Sequence, residues 1–402
     1  MVEVCTGKVL SAAGEAGSKV RVLYLDKEGG FGGSSRSLYF LIKNLEREST
    51  EAQVVLRERG PALERYQELG VRTFLLGRLP VYKPSLRNNL WILLLFLLRL
   101  RSFWDSSKIL RSLVKNNRID ILHMNHDSFF VYGFLLKRFT QVKILIHMRT
   151  MLPRNGYARL QARCIERMAD HLIFISENER HRYCELLGRR SAKGSVIFNG
   201  FEISESPSNP SASESIFFKV LYMGNLTYNK GANRLIELAL EAKSRGMKNL
   251  LFVVCGEDRG EKGERAEGTV ASEAERSGAG SYFRFMGHQA DPDRFLKECH
   301  ALIRLSRWND PWGRDIIEAM AYGKPVLATG AYEGFVEHGI NGFLHPVFDA
   351  KEMMDKIAYL AGHPEVVDRI GRANREKAKR LFDAQANTAR ITSLYHSMVA
   401  GK

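Results

Sequence analysis

Two carboxylates, Asp310 and Glu318, lie eight residues apart around a predicted turn and helix. The turn Asp310-Pro-Trp-Gly is favoured because proline fixes φ and glycine frees it. A short helix is predicted over Asp315–Tyr322, and Gly323 followed by Lys-Pro ends it. The free amides at a helix N-terminus suit an anion or a sugar hydroxyl. The two acids could therefore hold a polar ligand, although a helix cap or a solvated acidic face would use the same residues.

A cation, Lys230, follows a second predicted strand. It lies in the turn between the strand Lys219–Gly224 and the helix Ala232–Arg245. A cation beside a departing phosphate stabilises the negative charge that grows as the bond breaks. The alternative is an ordinary surface lysine in a turn.

Two features of the first half could also do chemistry. The strand Val20–Leu25 leads into a glycine-rich loop and a helix, an arrangement that presents backbone amides to phosphates. The loop has neither the dinucleotide nor the P-loop spacing. The strand Lys143–His147 ends in a histidine at the edge where open sheets bind ligands. We favour an active-site role for His147, with a packed core histidine as the alternative.

These stretches together resemble the family 4 glycosyltransferases. The family signature E-P-F-G-x4-E-A-M-A-x-G-x-P-V stands here as D-P-W-G-x4-E-A-M-A-Y-G-K-P-V from Asp310, with Asp in place of the first Glu. The family pattern G-R-L-x-x-x-K-G stands as G-N-L-T-Y-N-K-G from Gly224, with Asn225 in place of Arg. The resemblance extends over residues 20 to about 385.

The resemblance implies an α/β protein of GT-B fold, with two facing doubly wound Rossmann-like domains and an interdomain cleft. It assigns sugar and acceptor contacts to His147, the diphosphate to Lys230, the sugar to Asp310 and the ribose to Glu318. His123 matches a more structural position. The catalytic set is His147, Lys230, Asp310 and Glu318. The donor-binding set is Gly32, Gly33, Gly224, Asn225, Lys230, Gly287, His288, Trp312, Gly313, Arg314 and Glu318.

Asn225 supplies no charge to the diphosphate, so the missing charge must come from elsewhere. The candidates for it are Arg149, Arg304, Arg307 and Arg314.

The implied reaction is transfer of a hexose, with retention, from a UDP- or GDP-linked sugar to a saccharide or lipid-linked acceptor. The leaving phosphate would accept the proton, and the setting would be surface polysaccharide, lipopolysaccharide or glycolipid synthesis. We expect no required cofactor or metal, because Asp291 and Asp293 precede a helix and are better explained as caps. Two alternatives stay open, namely a GT-B-like epimerase or phosphorylase and a non-catalytic basic module on a membrane.

The charge is uneven along the chain. Residues 1–203 hold 33 lysines and arginines against 19 acids, whereas residues 204–402 hold 27 against 26. The first half should therefore meet an anionic partner, unless its surface is merely basic. We expect no nucleic-acid binding, because aromatic and basic residues are not interleaved as in a single-strand groove.

Residues 83–118 hold eight basic residues and one acid, beside the apolar run Leu90–Leu98. This region could lie in a membrane interface with Trp91 and Trp104 at its edges, or form a core helix followed by a basic outer helix. Five scattered cysteines and the lack of an apolar leader predict a cytoplasmic protein, either free or at the inner face of the plasma membrane.

The expected organisation has five parts, with the first domain taking the acceptor and the second the nucleotide sugar. They are a tail at 1–19, domains at 20–203 and 216–385, a polar linker at 204–215, and a C-terminal helix at 386–402 that could pack on the first domain. Two amphipathic helices are predicted after Asp349.

Overall fold

The computed structural model describes most of the chain as two compact units. The described ranges are 3–5, 19–27, 29–77, 79–81, 99–191, 193–203, 216–257, 269–289, 291–308, 310 and 312–401. The first unit comprises Met1–Gly200 together with Ala384–Lys402, and the second comprises Phe201–Asp383.

The described part of the first unit has an eight-stranded sheet in the order β1-β4-β3-β2-β5-β6-β7-β8. The strands are β1 Glu3–Cys5, β2 Val20–Leu25, β3 Thr50–Leu56, β4 Arg72–Leu75, β5 Ile121–Met124, β6 Lys143–Met148, β7 His171–Phe174 and β8 Gly194–Val196. Neighbouring strands are parallel except β1 and β4. The strand order reverses between β2 and β5, which is where a doubly wound sheet binds ligands.

Six helices of this unit follow strands in the manner of an α/β domain. They are α1 Gly33–Lys43, α2 Pro61–Glu68, α3 Leu100–Asn116, α4 Phe130–Phe139, α5 Gly156–Met168 and α6 Glu177–Leu187. Local sequence sets their ends. The Ser176 hydroxyl accepts from the Asn178 amide at the start of α6, and Gly188 ends that helix with φ of +73°.

The second unit has six described strands, all parallel, in the order β11-β10-β9-β12-β13-β14. They are β9 Phe218–Met223, β10 Leu250–Cys255, β11 Phe283–Gly287, β12 Ala301–Arg304, β13 Val326–Thr329 and β14 Gly342–His345. The helices are α7 Arg234–Ser244, α8 Val270–Arg276, α9 Asp293–Glu298, α10 Arg314–Ala321, α11 Ala350–Gly362 and α12 Pro364–Phe382. The order here reverses between β9 and β12.

The last helix, α13 Ala384–Ala400, belongs to the first unit and packs on α1 and β2. Its buried Ile391 and Tyr395 lie in one apolar cluster with Leu38 and Leu41 of α1. This burial stabilises the helix, since amphipathic helices draw most of their stability from tertiary packing.

The C-terminal region differs from its prediction, because three helices rather than two follow Asp349. Pro364 starts α12 at the first helical position, where its missing amide costs nothing. Asp383, with ψ of 122°, separates α12 from α13.

The N-terminal region also differs, because β1 lies within the residues predicted to be a tail. It pairs with β4 and so covers an edge of the sheet. The apolar run Leu90–Leu98 with Trp91, and the linker 204–215, lie outside the described residues. Among the helices that are described, none combines the length and apolar content needed to cross a bilayer.

Candidate active site

The switch point of the second unit is the place where its strand order reverses, between β9 and β12. The loops that follow these two strands meet there. Gly231 has φ of +72°, and a Cβ there would lie 1.9 Å from the Leu305 carbonyl oxygen. Only glycine allows both this conformation and this approach. Gly224 has φ of +148°, and its carbonyl oxygen lies 1.8 Å from where a Gly256 Cβ would stand. The loop that carries Lys230 is therefore pressed against the loop that leads to Asp310.

Lys230 and Asp310 come together at this point. Lys230 Nζ lies 3.6 Å from Asp310 Oδ2, and the lysine side chain is 45% exposed. The charge of the Arg304 guanidinium is the largest cause that lowers the pKa of Lys230. Burial lowers this pKa further, and the charge of Asp310 opposes both effects. The Lys230 side chain is thus open enough to solvent for an anionic ligand to reach it.

Arg304, at the end of β12, connects this pair to helix α10. Its Nη2 lies 3.0 Å from Asp310 Oδ2, and its Nη1 lies 2.8 Å from Asp315 Oδ2. Burial alone would lower the pKa of Arg304, but the charges of Asp315 and Asp310 outweigh it and raise that pKa. Arg304 was predicted as a possible phosphate contact. The structure instead places it between two acids.

The first turn of α10 holds a buried ion pair. Arg314 Nε donates to Glu318 Oε1 at 2.9 Å, and the two side chains are 7% and 2% exposed. Gly313 is the N-cap, and Trp312 is buried against the Tyr332 ring at 5.4 Å between centroids. Glu318, predicted to bond a ribose, thus already accepts a hydrogen bond from Arg314 in this structure.

The remaining predicted donor contacts of this unit are exposed. Asn225 follows Gly224 at the start of the loop, with its side chain in solvent. Gly287 and His288 follow β11 and are also exposed. The Gly287 carbonyl accepts from the Gly256 amide at 2.8 Å, which ties this turn to the end of β10. These residues share the carboxyl edge of the sheet with Lys230.

The switch point of the first unit holds a buried acid that the sequence reading missed. Asp26 follows β2 and is fully buried, and it accepts from Tyr66 Oη at 2.8 Å and from Asn125 Nδ2 at 3.0 Å. Burial raises the pKa of Asp26, while these hydrogen bonds oppose the rise. Its position directly after a strand was the available signal. Its partner Asn125 lies 99 residues away, and the sequence held no signal that the two residues meet.

In the same unit, His147 is the last of a series of buried polar side chains. Its Nδ1 lies 3.3 Å from His123 Nε2, and His123 Nδ1 lies 2.6 Å from Tyr395 Oη. Burial lowers the pKa of both histidines well below the usual value, and the charge of Arg149 adds to this. His147 is therefore neutral near pH 7, and it can exchange a hydrogen bond but carries no charge.

A small cavity, about 20 Å³ in volume, opens beside His147. Polar side chains line much of it, namely His147, Arg149, Asn199, Asn387 and Thr388. The buried His147 Nε2 has no hydrogen-bond partner among the described residues. Arg149 is held by its Nε–H, which donates to Asn125 Oδ1 at 2.7 Å. The cavity can therefore take a hydroxyl or a water at His147.

Gly32 and Gly33 begin helix α1 at the same edge of the first sheet. Gly32 is the N-cap, no side chain caps the helix, and its first turn holds no acid. A Cβ at Gly33 would meet nothing within 4 Å, so the loop leaves room above the helix N-terminus. This is a surface that an anionic or hydroxylated ligand could approach.

Within the described ranges, no group of three or more His, Cys, Asp or Glu side chains is arranged to hold a metal ion. The Asp291 carboxylate accepts from the Asp293 amide at 3.1 Å, at the start of α9. These two residues thus form a local turn at a helix start.

The comparisons with known proteins bear on the family and the fold of the chain. The family description "Glycosyltransferase Family 4" matches residues 31–205, and "Glycosyl transferases group 1" matches residues 207–377. EpsD of Bacillus subtilis (strain 168) is 29% identical over 191 residues, which are 45% of this chain and 46% of EpsD. The D-inositol 3-phosphate glycosyltransferase of Kribbella flavida is 25% identical over 311 residues, 70% of this chain and 73% of that one.

Among solved structures, Anabaena HepE in complex with UDP and glucose is similar, with a TM-score of 0.75 and 22% identity. The match covers 94% of this chain and all of HepE, and it supports the same fold, GT-B. The chain spans less than half the length of the first curated relatives it matches. The two family matches together cover most of the chain, and the chain belongs to the family 4 glycosyltransferases.

Proposed function

We propose that this protein is a retaining glycosyltransferase that moves a hexose from a UDP- or GDP-linked sugar to a saccharide or lipid-linked acceptor. The observation that carries the proposal is the approach of Lys230 to Asp310 at the switch point of the second unit. One group can meet the charge of a diphosphate and the other can accept from a sugar hydroxyl. HepE, which shares the fold, was solved with UDP and glucose.

In this proposal the bond between the sugar C1 and the phosphate oxygen breaks while the acceptor oxygen bonds to C1 on the same face. The acceptor proton passes to the leaving phosphate. Lys230 stabilises the charge that develops on that phosphate. Asp310 and the amides of Trp312 to Arg314 orient the sugar, and Glu318 holds the ribose beside Arg314. The neutral His147 contacts sugar and acceptor without adding charge.

The donor-binding set of the second unit serves the nucleotide, with Gly224 and Asn225 at the diphosphate loop and Gly287 and His288 at the base. Gly32 and Gly33 of the first unit lie beside the phosphates. The reaction belongs to surface polysaccharide or glycolipid assembly, and the basic first unit takes the acceptor.

The test is a panel of nucleotide sugars, first by thermal shift and then by release of nucleoside diphosphate. A true donor should raise the melting temperature by mass action and be cleaved faster when an acceptor is added. Anomeric configuration of the product, read by NMR, checks retention. Conversion of the sugar without any acceptor would point to an epimerase and overturn the proposal.

We also propose that helix α3 meets an anionic membrane that carries the acceptor. Phe103, Leu110 and Val114 face the core, and the outward face holds Arg101, Trp104, Lys108, Arg111 and Lys115. The Arg111 guanidinium lies 4.9 Å from the centre of the Phe139 ring, which is 45% exposed. Exposed aromatic rings among cations suit the headgroup region of a bilayer.

Vesicle sedimentation tests this contact. The protein should bind phosphatidylglycerol vesicles and not phosphatidylcholine vesicles, and the binding should weaken with salt. Lys108→Glu with Arg111→Glu should weaken it by more than tenfold, at about 1 kcal/mol for each basic residue removed. Lys379→Glu with Arg380→Glu, on two exposed basic residues of the second unit, reverses the same number of charges and is the matched control. Equal loss in the control would rule out α3 as the contact.

A further inference from the structure

Arg304 holds Asp310 at two points. Its Nε donates to the Asp310 backbone carbonyl at 2.9 Å, and its Nη2 donates to Asp310 Oδ2 at 3.0 Å. Nη1 donates to both oxygens of Asp315, at 3.0 and 2.8 Å. The arginine side chain is only 10% exposed. All three guanidinium nitrogens of Arg304 therefore donate hydrogen bonds, and the planar group is held in one orientation at the end of a buried strand.

The Arg304 side chain does not contact the second carboxylate oxygen of Asp310, Oδ1, with a hydrogen bond. Oδ1 is buried and has no hydrogen-bond partner among the described residues. A buried acceptor without a partner is costly, so such atoms in native structures often mark a place where a ligand supplies the donor. Because Arg304 donates to Oδ2, the oxygen of Asp310 that is left to accept a hydrogen bond from a ligand is Oδ1.

Lys230 does not compete for that place. Its Nζ lies 3.6 Å from Oδ2, beyond good hydrogen-bond distance, whereas Arg304 lies at 3.0 Å from the same oxygen. Arg304 thus takes the oxygen that Lys230 would otherwise bind, and the lysine stays available to an anion.

We propose that Arg304 is a positioning residue which fixes Asp310 so that Oδ1 accepts a hydrogen bond from a hydroxyl of the transferred sugar. This inference rests on the proposed function. Asp310 is one methylene shorter than the family's Glu, so it has one side-chain torsion fewer for Arg304 to fix.

The experiment combines Arg304→Met, Arg304→Lys and Asp310→Asn, singly and as double variants with Asp310→Asn. The probe is whichever of UDP-glucose, UDP-galactose, UDP-N-acetylglucosamine and GDP-mannose the wild-type protein cleaves fastest. Rates are expressed per folded molecule, with the folded fraction taken from circular dichroism. Lys377→Met is the control, because the Lys377 side chain is 9% exposed and forms an ion pair with Glu337 in the same unit.

Arg304→Met should lower kcat about 100-fold, the scale that a misplacement of about 1 Å costs. Arg304→Lys keeps the charge without the fork and should recover part of this rate. In the Asp310→Asn background, Arg304→Met should change kcat by less than about threefold, since residues acting as one unit are not additive. Lys377→Met should lower stability and leave kcat per folded molecule unchanged.

Three outcomes would overturn the inference. If Arg304→Met, or Arg304→Lys where the first does not fold, keeps kcat within about threefold of the wild type, Arg304 does not position Asp310. If the effects of the Arg304 and Asp310 variants simply add, Arg304 acts independently of Asp310. In both cases the proposed function stands. If the wild-type protein cleaves no nucleotide sugar of the panel, the proposed function fails and this inference fails with it.

Discussion

Replacing Lys230 with methionine removes one cation at the second unit's switch point and keeps most of the side-chain bulk. The lysine side chain is 45% exposed and that of Asp310 is 23% exposed, with 3.6 Å between the charged atoms. An ion pair this open to solvent contributes about 0–1 kcal/mol to stability. For a unit of this size, the melting temperature should therefore fall by no more than about 4 °C.

The effect on catalysis should be far larger. The charge on the leaving diphosphate grows in the transition state, and a preorganised donor aimed at such a charge is worth about 100- to 1,000-fold in kcat. Lys230→Met should thus lose about 3–4 kcal/mol of transition-state stabilisation and almost no folding stability. Steady-state release of nucleoside diphosphate measures the first quantity, and thermal unfolding measures the second.

Lys219 offers a matched control in the same unit. Its Nζ lies 3.5 Å from Glu298 Oε2, and the side chains are 25% and 60% exposed. Lys219→Met should therefore change stability about as much as Lys230→Met does and leave kcat/KM unchanged. A Lys230→Met protein with kcat/KM within about fivefold of the wild type would refute the assignment of Lys230 to the leaving group.

Three further predictions follow from buried groups. Glu318→Gln should lower the free energy of unfolding in urea by about 3 kcal/mol, because it breaks a buried ion pair, besides weakening nucleotide binding; an unchanged unfolding curve would contradict this. Gly231→Ala should destabilise by more than about 3 kcal/mol, through strain and a backbone clash, whereas Gly224→Ala meets nothing within 4 Å and should cost about 1 kcal/mol. His123 and His147 have pKa values held well below those of the unfolded chain, so unfolding takes up protons and stability should fall as pH drops below about 6.5. His147→Gln should reduce that slope in pH-dependent thermal unfolding, and an unaltered slope would show that His147 is not one of the titrating groups.

Much of the second unit could be predicted from sequence because its signals are local. The predicted strand Lys219–Gly224 corresponds to β9, Phe218–Met223, and Gly323 ends α10 with φ of +66° as expected. Each of these rests on a pattern within about ten residues. Proline and glycine set a turn, and a run of apolar residues fits a parallel strand buried on both faces.

The pairings that build the two switch points could not be predicted in this way. Arg304 and Asp315 lie on different elements, and Asp26 and Asn125 are 99 residues apart. A single sequence shows which residues are charged but not which of them meet. Arg304 was therefore read as a free cation for phosphate, and its neutralisation by two acids became visible only in the fold.

The two departures from the family signature have a joint electrostatic consequence. The family pattern G-R-L-x-x-x-K-G supplies two cations, an Arg and a Lys, where this chain has Asn225 and Lys230. Here Asn225 is neutral, and the cations Lys230 and Arg304 are matched by the acids Asp310 and Asp315, so these four side chains carry no net charge. Arg307, which donates to the Tyr228 carbonyl and to Asn233 Oδ1, is a further cation at the same loops. The four matched side chains add little to the long-range attraction of the diphosphate. Selectivity and rate must then depend on short-range geometry, which agrees with the rigid grip on Asp310 at both its backbone and its carboxylate.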